Sequence, residues 1–242
     1  CPAQRVRVVS SLKYDTARTE ADSPAVQRLA EQIHLESEPL WVAGGTGPQE
    51  EQIVLEVFSR LKKEPPLKDL RLAVIPRKPE RFDEVAALIE QSPFSWVRYS
   101  RLKEQNTTAD AKPEIILGDT MGDLNKFYAL ASVVFVGRTL TPLGGSDMME
   151  PAALGKCTLF GPYTFNFKQT VQELLAGQGA IEVADKEQLF EMTRTCLLES
   201  GFARQIAENG RRIILRNKGA TQKTIEAVRE VLAHRRQEEP SK

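Results

Sequence analysis

Short apolar runs alternate with amphipathic segments along most of this chain, and this alternation constrains the fold more than any other feature. The apolar runs have the length of buried strands and cover residues 40–43, 70–75, 95–99, 114–117, 133–136, 157–160 and 180–183. An intervening segment such as residues 79–91 carries apolar side chains at helical spacing. Strand–helix alternation at this spacing predicts an α/β fold with a doubly wound parallel sheet. From residue 185 onward we expect a helical C-terminus of three helices, ending near residue 236.

The alternation does not extend over the whole chain. Residues 1–37 lack it and are expected to form a linker with one helix over residues 24–34, taken from an interdomain region. Residues 38–242 are expected to form a single domain of ordinary size. The chain begins at Cys1 rather than at a methionine, so we expect it to be a piece of a longer protein.

Composition excludes several classes of protein. Lys and Arg together number 33 and so do Asp and Glu, which gives no electrostatic bias toward nucleic acid. No run of 18 apolar residues is present, so we expect this piece to be soluble. The three cysteines are too few and too scattered for a disulfide framework or a zinc site, and Cys157 is expected to be a small core residue.

No catalytic histidine is expected either. His34 and His234 are the only histidines, and both fall in polar helical contexts away from the loops that follow the strands. A Ser-His-Asp or Cys-His arrangement is therefore not supported. We predict no cofactor, no metal and no catalytic nucleophile in this chain.

The unusual residues collect at one edge of the predicted sheet. Segments 44–47, 76–77, 118–123 and 144–150 all follow strands, and the carboxyl ends of parallel strands share one edge. Ligands of open α/β sheets bind at that edge. We therefore expect a single binding site built from these loops.

The segment from Gly144 to Glu150 is the most informative of these loops. Gly144 and Gly145 allow the backbone to approach a phosphate at a helix N-terminus, and Glu150 can accept hydrogen bonds from ribose hydroxyls. Asp147 either caps the helix or faces the ligand. The alternative is a tight strand-to-helix turn in which Glu150 only interacts favourably with the helix dipole.

Cations and backbone groups complete the expected site. Arg77 can neutralise a phosphate or carboxylate, although a solvated basic turn would also explain it and Lys78. The loop from Gly118 to Gly122 can present backbone groups to a base edge. Asp123 is expected to be a helix N-cap, because two carboxylates without further ligands make a weak metal site.

The loop at residues 44–47 is a further possible anion site before a helix expected over residues 48–63. It does not match G-x-G-x-x-G, because Glu50 stands at the last glycine position. It does not match a phosphate-binding P-loop either, since no Gly-Lys-Ser/Thr follows. NAD and ATP are therefore disfavoured, and a sharp turn into a helix remains the other explanation.

Several of these segments occur together in one known family. In order and spacing, the matching segments are 11–15, 42–51, 76–82, 117–124, 128–131, 134–137, 144–156 and 159–167. The chain resembles the C-terminal half of the 3-deoxy-D-manno-octulosonic acid (Kdo) transferases, which are glycosyltransferases of the GT-B fold. The resemblance implies a Rossmann-like, donor-binding C-terminal domain.

The resemblance also implies an activity. Family members transfer Kdo from CMP-Kdo to the lipid A precursor in lipopolysaccharide biosynthesis, at the cytoplasmic face of the Gram-negative inner membrane. The acceptor site, the membrane anchor and the catalytic carboxylate base would then belong to an N-terminal domain that is absent from this chain. By resemblance, the candidate donor-binding residues are Arg77, Lys78, Gly118, Asp119, Thr120, Met121, Gly122, Gly144, Gly145, Ser146, Asp147 and Glu150.

The resemblance also implies which part of CMP each of these residues would contact. Arg77 would contact the nucleotide, the loop 118–122 the cytosine, Gly144 and Gly145 the phosphate, and Glu150 the ribose. Lys78 would assist in stabilising the leaving CMP phosphate.

The chain departs from the family pattern at a few of these positions. The family usually has Ser-Thr-His at residues 45–47, which are Gly-Thr-Gly here, and a histidine at Lys78. It usually has His-Asn where Ser146 and Asp147 stand. Two alternatives therefore stay open: a GT-B transferase or epimerase that uses another sugar nucleotide, and a non-catalytic nucleotide-binding domain with a decayed site.

Overall fold

The computed structural model describes residues 6–7, 11–17 and 19–238, with the side chains of 233–238 excluded. Its strands are β1 Leu40–Thr46, β2 Arg71–Pro76, β3 Trp96–Arg98, β4 Ile115–Leu117, β5 Val133–Val136, β6 Cys157–Phe160 and β7 Ile181–Glu182. Its helices are α1 Lys13–Thr16, α2 Pro24–Gln32, α3 Glu50–Leu61, α4 Phe82–Glu90, α5 Tyr99–Gln105, α6 Leu124–Leu130, α7 Met149–Ala153, α8 Lys168–Ala176, α9 Lys186–Leu198, α10 Ser200–Arg216 and α11 Ala220–Glu238.

The seven strands form one sheet in the order β3-β4-β2-β1-β5-β6-β7, and every pairing is parallel. The central strands β1, β2, β5 and β6 are buried along their whole length because helices cover both faces of the sheet, as parallel sheets require. This arrangement confirms the predicted doubly wound α/β fold. The three C-terminal helices α9, α10 and α11 confirm the predicted helical C-terminus.

Two hydrophobic layers hold the sheet, one on each face. One layer contains side chains of β1, α6 and α7, and the other contains side chains of β1, α3, α4 and α9. Tyr14 and Leu29 are completely buried in the first layer. Residues N-terminal to position 38 therefore contribute to the same core as the sheet.

Some predicted boundaries were wrong. The strand expected to end at residue 43 continues to Thr46, because Gly44 and Thr46 pair with Ile75 and Pro76 of β2. The helix that follows begins at Glu50 rather than at residue 48. The polar stretch expected to be a loop over residues 102–113 begins with the second half of α5, whose Leu102 is buried.

The two described cysteines lie together although they are distant in sequence. Cys157 of β6 and Cys196 of α9 are both buried free thiols, with their Sγ atoms 3.5 Å apart. The prediction that Cys157 is a small core residue is confirmed. Within the described part of the chain, no helix combines the length and the apolar character needed to cross a bilayer.

Candidate functional site

The site lies where the direction of the sheet reverses. From β1 the chain proceeds outward to β2 on one side, and it later returns to place β5 on the other side. The loops after β1 and β5 therefore diverge and leave a crevice between them, the position at which doubly wound sheets bind ligands.

A cavity of about 410 Å³, here called the edge cavity, opens at this crevice. Its lining residues are Lys13, Arg77, Leu124, Arg138, Gly145, Ser146, Asp147, Glu150, Asn166 and Phe167. The structure thus brings together five of the sequence-predicted residues, which come from two separate loops: Arg77, Gly145, Ser146, Asp147 and Glu150.

A second cavity of about 350 Å³ adjoins it, here called the side cavity. Its lining residues are Thr46, Gly47, Pro48, Arg77, Lys78, Glu80, Arg81, Arg138 and Leu143. Lys78 is exposed there, and its Nζ lies 3.4 Å from a carboxylate oxygen of Glu80. Arg77 and Arg138 line both cavities and so form the wall between them.

The paired glycines have the backbone conformation that their residue type permits. Gly144 and Gly145 have φ of +86° and +88°, in the left-handed region that other residues rarely adopt. The N–H of Gly145 donates to the Arg138 carbonyl, and the N–H of Ser146 donates to the Gly137 carbonyl. Within the described residues, the N–H groups of Gly144 and Asp147 have no acceptor; Asp147 lines the edge cavity, whereas Gly144 is buried and lines neither cavity.

Asp147 and Glu150 supply negative charge to the edge cavity. Asp147 accepts a hydrogen bond from the Met149 N–H at 2.8 Å but lies one residue before the N-cap position of α7, which Met148 occupies. Burial raises the pKa of the Asp147 carboxyl, while the Met149 N–H and the nearby Lys13 cation act in the opposite direction. Glu150 lies half-buried in the first turn of α7, and Gly155, just beyond the end of this helix, is in the left-handed conformation.

A buried hydroxyl lies beneath these two carboxylates. Tyr128 of α6 is completely buried, and its Oη makes no hydrogen bond to a described residue. Burial raises the pKa of Tyr128 well above its usual value, and the charges of Glu150 and Asp147 add to this effect. The hydroxyl is therefore neutral and could donate a hydrogen bond.

Arg77 is exposed at the end of β2, and its backbone N–H donates to the Thr46 carbonyl at 3.0 Å. Its guanidinium forms no hydrogen bond or ion pair with any described residue. An exposed, unpaired guanidinium at the mouth of a cavity can bind an anionic group through its planar fork of donors.

The loop after β4 does not line either cavity. Gly118 and Asp119 are buried, and the Asp119 carboxylate accepts hydrogen bonds from the Ser100 N–H at 2.8 Å and from its hydroxyl at 2.7 Å. The Thr120 hydroxyl donates a hydrogen bond to the Asp123 carboxylate, while Met121 and Gly122 are exposed. Leu124, which begins α6 directly after this loop, does line the edge cavity.

Asp123 occupies the predicted N-cap position, but its side chain does not cap the helix. Its carboxylate instead lies 2.6 Å from the ammonium groups of both Lys103 and Lys126. The described residues contain no cluster of three or more His, Cys, Asp or Glu side chains that could hold a metal ion.

Two buried glutamates organise the loops around the crevice. Glu50 accepts hydrogen bonds from the N–H groups of Gly47, Arg138, Thr139 and Leu140. Glu51 accepts a hydrogen bond from the Thr46 hydroxyl at 2.7 Å and forms an ion pair with Arg81 at 2.6 Å. The glutamate that breaks the dinucleotide-binding motif therefore ties the loop after β1 to the loop after β5.

Sequence reasoning missed several residues of the edge cavity, among them Lys13, Arg138 and Asn166. Lys13 belongs to the N-terminal segment and lies 5.0 Å above the ring of Phe167. A signal existed, since Lys13 and Asn166 both fall within segments that resemble the known family. Arg138 could have been noticed because it follows a buried strand at the same sheet edge as Arg77.

The chain is similar in sequence to several known transferases. The chain is 30% identical over 234 residues to the 3-deoxy-D-manno-octulosonic acid transferase of Haemophilus influenzae. The aligned region covers 96% of this chain and 53% of that protein. The Bordetella pertussis enzyme of the same name is 28% identical over 95% of this chain and 53% of its own length. The chain thus spans about half the length of the curated relatives it matches.

A solved structure agrees with the sequence matches. The C-terminal CMP-Kdo binding domain of WaaA from Acinetobacter baumannii aligns with a TM-score of 0.71 and 29% identity, over 78% of this chain and 96% of that domain. No protein-family model matches the chain. The sequence and fold comparisons agree: over nearly its whole length the chain is similar to the 3-deoxy-D-manno-octulosonic acid transferases, and it has the fold of the C-terminal domain of one of them.

Proposed function

We propose that this chain is the donor-binding part of a glycosyltransferase, and that the edge cavity binds CMP-Kdo. The observation that carries the proposal is the meeting of Arg77, the paired-glycine turn and Glu150 in one cavity at the switch point of the sheet. A relative with this fold is a CMP-Kdo binding domain. The donor carries a phosphate and a sugar carboxylate, which suits a cavity with cationic side chains.

Each group has a distinct task in this proposal. Arg77, the N–H group of Asp147 and the backbone of the paired-glycine turn bind the phosphate and stabilise the charge that develops on the departing CMP. Glu150 accepts hydrogen bonds from the ribose hydroxyls. Lys78, which lines the side cavity, contributes positive charge near Arg77. The loop 118–122 contacts the cytosine only if it moves toward the cavity that Leu124 lines.

The remaining steps belong to a part of the protein outside this chain. We propose that the complete transferase transfers Kdo to the lipid A precursor at the cytoplasmic face of the Gram-negative inner membrane. The acceptor, a membrane anchor and a catalytic carboxylate base would be supplied by an N-terminal domain. In this scheme the present chain positions the donor and stabilises the leaving group.

Titration calorimetry with CMP, UMP, GMP and NAD tests the nucleotide choice. We expect CMP to bind most tightly, and Arg77→Ala to weaken CMP about 10- to 100-fold, since hydrogen bonds to charged groups contribute about 1.5–3 kcal/mol. Arg101→Ala is the matched control, because Arg101 is exposed on α5 and lines neither cavity. Equal or absent binding of all four ligands would favour a decayed site instead.

A further inference from the structure

Arg138 has a backbone conformation that its residue type disfavours. Its φ is +61°, in the left-handed region that is uncommon for a long side chain. Strained backbone of this kind persists where the surrounding structure enforces it, and it is concentrated at functional sites. Arg138 lines both cavities at the switch point, which makes it a candidate for such a role.

Hydrogen bonds on both sides of the residue enforce this conformation. The Arg138 N–H donates to the buried Glu50 carboxylate, which also holds the next two N–H groups of the loop. The Arg138 carbonyl accepts from the Gly145 N–H at 2.8 Å. The backbone of Arg138 is thus fixed by α3 on one side and by the paired-glycine turn on the other.

The side chain of Arg138 occupies space that another residue leaves empty. A Cβ atom at Gly47 would lie 3.0 Å from Arg138 Cγ and 2.7 Å from Leu143 Cδ1, closer than ordinary contacts allow. Residue 47 is one of the positions at which this chain departs from the family pattern. The absence of a side chain at Gly47 therefore makes room for the stem of Arg138.

The guanidinium of Arg138 is left with unused donors. Among the described residues, its only hydrogen bond is to the Leu143 carbonyl at 2.9 Å, from one of five N–H donors. It forms the wall between the two cavities together with Arg77. Asp147 and Glu150 line the edge cavity with these two arginines and give them a counter-charge.

We propose that Arg138 is a specificity-determining residue of this chain: with Arg77 it binds an anionic group of the donor, in the space that Gly47 leaves open. The inference rests on the proposed function for the identity of the donor. The anionic group is a phosphate or a carboxylate, and a guanidinium binds both through parallel hydrogen bonds. Arg138 also supplies the positive charge that an acidic Asp147 beside a phosphate site requires.

Binding assays on the chain test this with Arg138→Ala and Arg138→Gly, using CMP, cytidine, CMP-Kdo and inorganic pyrophosphate. If Arg138 binds the phosphate, we expect both variants to lose tenfold or more in affinity for CMP and to keep their affinity for cytidine. If Arg138 binds the sugar carboxylate, the affinity for CMP is unchanged and the affinity for CMP-Kdo decreases by the same factor. Either result supports the proposal.

The glycine variant separates binding from folding. Because glycine readily adopts φ of +61°, we expect Arg138→Gly to raise the melting temperature while it weakens binding of the anionic ligand. Gln178→Gly is the matched control, since Gln178 has φ of +51° and lines neither cavity. It should raise the melting temperature and leave ligand affinity unchanged.

Two outcomes distinguish a failure of this inference from a failure of the proposed function. If the wild-type chain binds CMP and CMP-Kdo and both Arg138 variants bind them equally well, Arg138 has no role and the inference is overturned. If the wild-type chain does not bind CMP, the proposed function is wrong, and pyrophosphate decides the inference. Pyrophosphate binding that disappears in Arg138→Ala supports an anion site, and unchanged or absent binding overturns it.

Discussion

Replacing Glu50 by glutamine should destabilise the domain strongly although the two side chains have the same shape. One carboxylate oxygen of Glu50 accepts the N–H groups of Gly47 and Arg138, and the other accepts those of Thr139 and Leu140. In either orientation, the NH₂ group of the new amide would face two of these buried N–H donors. Two donors then lose their acceptor.

The magnitude follows from the number of unpaired groups. A buried donor left without a partner costs about 1–3 kcal/mol, so two cost about 2–6 kcal/mol. That is a large part of the roughly 5–15 kcal/mol by which domains are stable. For a domain of this size each kcal/mol lowers the melting temperature by about 2–4 °C, which predicts a decrease of about 4–24 °C.

Thermal unfolding followed by circular dichroism measures this change. Glu187→Gln is the matched control, because Glu187 is 64% exposed and its pairing with Arg60 is a surface ion pair worth at most about 1 kcal/mol. Burial raises the pKa of the Glu50 carboxyl, and its four N–H donors act in the opposite direction by stabilising the carboxylate. A decrease no larger than that of the control would refute the reasoning, because it would mean that the carboxylate charge and its second acceptor oxygen are not required.

Three further predictions concern the site and the N-terminal segment. Glu150→Gln should weaken CMP binding about tenfold or more, because charged hydrogen bonds to ribose are lost. A helix-dipole role of Glu150 predicts instead only about 0.3–1 kcal/mol of lost stability. Calorimetry and the melting temperature of the same variant separate the two roles. Hydrogen bonds from Thr221 and Gly219 hold the pKa of Asp15 down to about 2, from an ordinary 3.8, so they stabilise the fold above that ordinary value and are lost as the pH falls toward 2. Asp15→Asn should therefore remove part of the wild-type decrease in melting temperature between these pH values, and identical profiles would exclude the contribution. The chain alone should not transfer Kdo from CMP-Kdo to lipid A precursor, and product detected by mass spectrometry would contradict this.

The sequence predicted the sheet well because the central strands are mostly apolar on their own. Burial on both faces of a parallel sheet makes a run such as residues 133–136 recognisable without knowledge of its neighbours. The loops that follow the strands could be assigned to one edge for the same reason, and Arg77, Asp147 and Glu150 do line a common cavity.

The parts that sequence could not supply depend on contacts between distant segments. Glu50 is recognisable only as a mismatch to a motif until its carboxylate is seen to hold N–H groups nearly 90 residues away. Asp119 looked like a ligand residue, but Arg98 at the end of β3 and Ser100 in the first turn of α5 turn it inward. Lys13 reaches the cavity because its neighbour Tyr14 is buried and donates a hydrogen bond to Glu173 of α8, which fixes α1 there.

The strand order has a consequence for how the domain is assembled. The central strand β1 pairs with β2, which follows it closely, and with β5, which is made much later. We expect the half of the sheet containing β1 to β4 to form early, because closing short loops costs less entropy than closing long ones. The crevice between β1 and β5 would then be completed last, so ligand binding would report that the late half of the chain has docked.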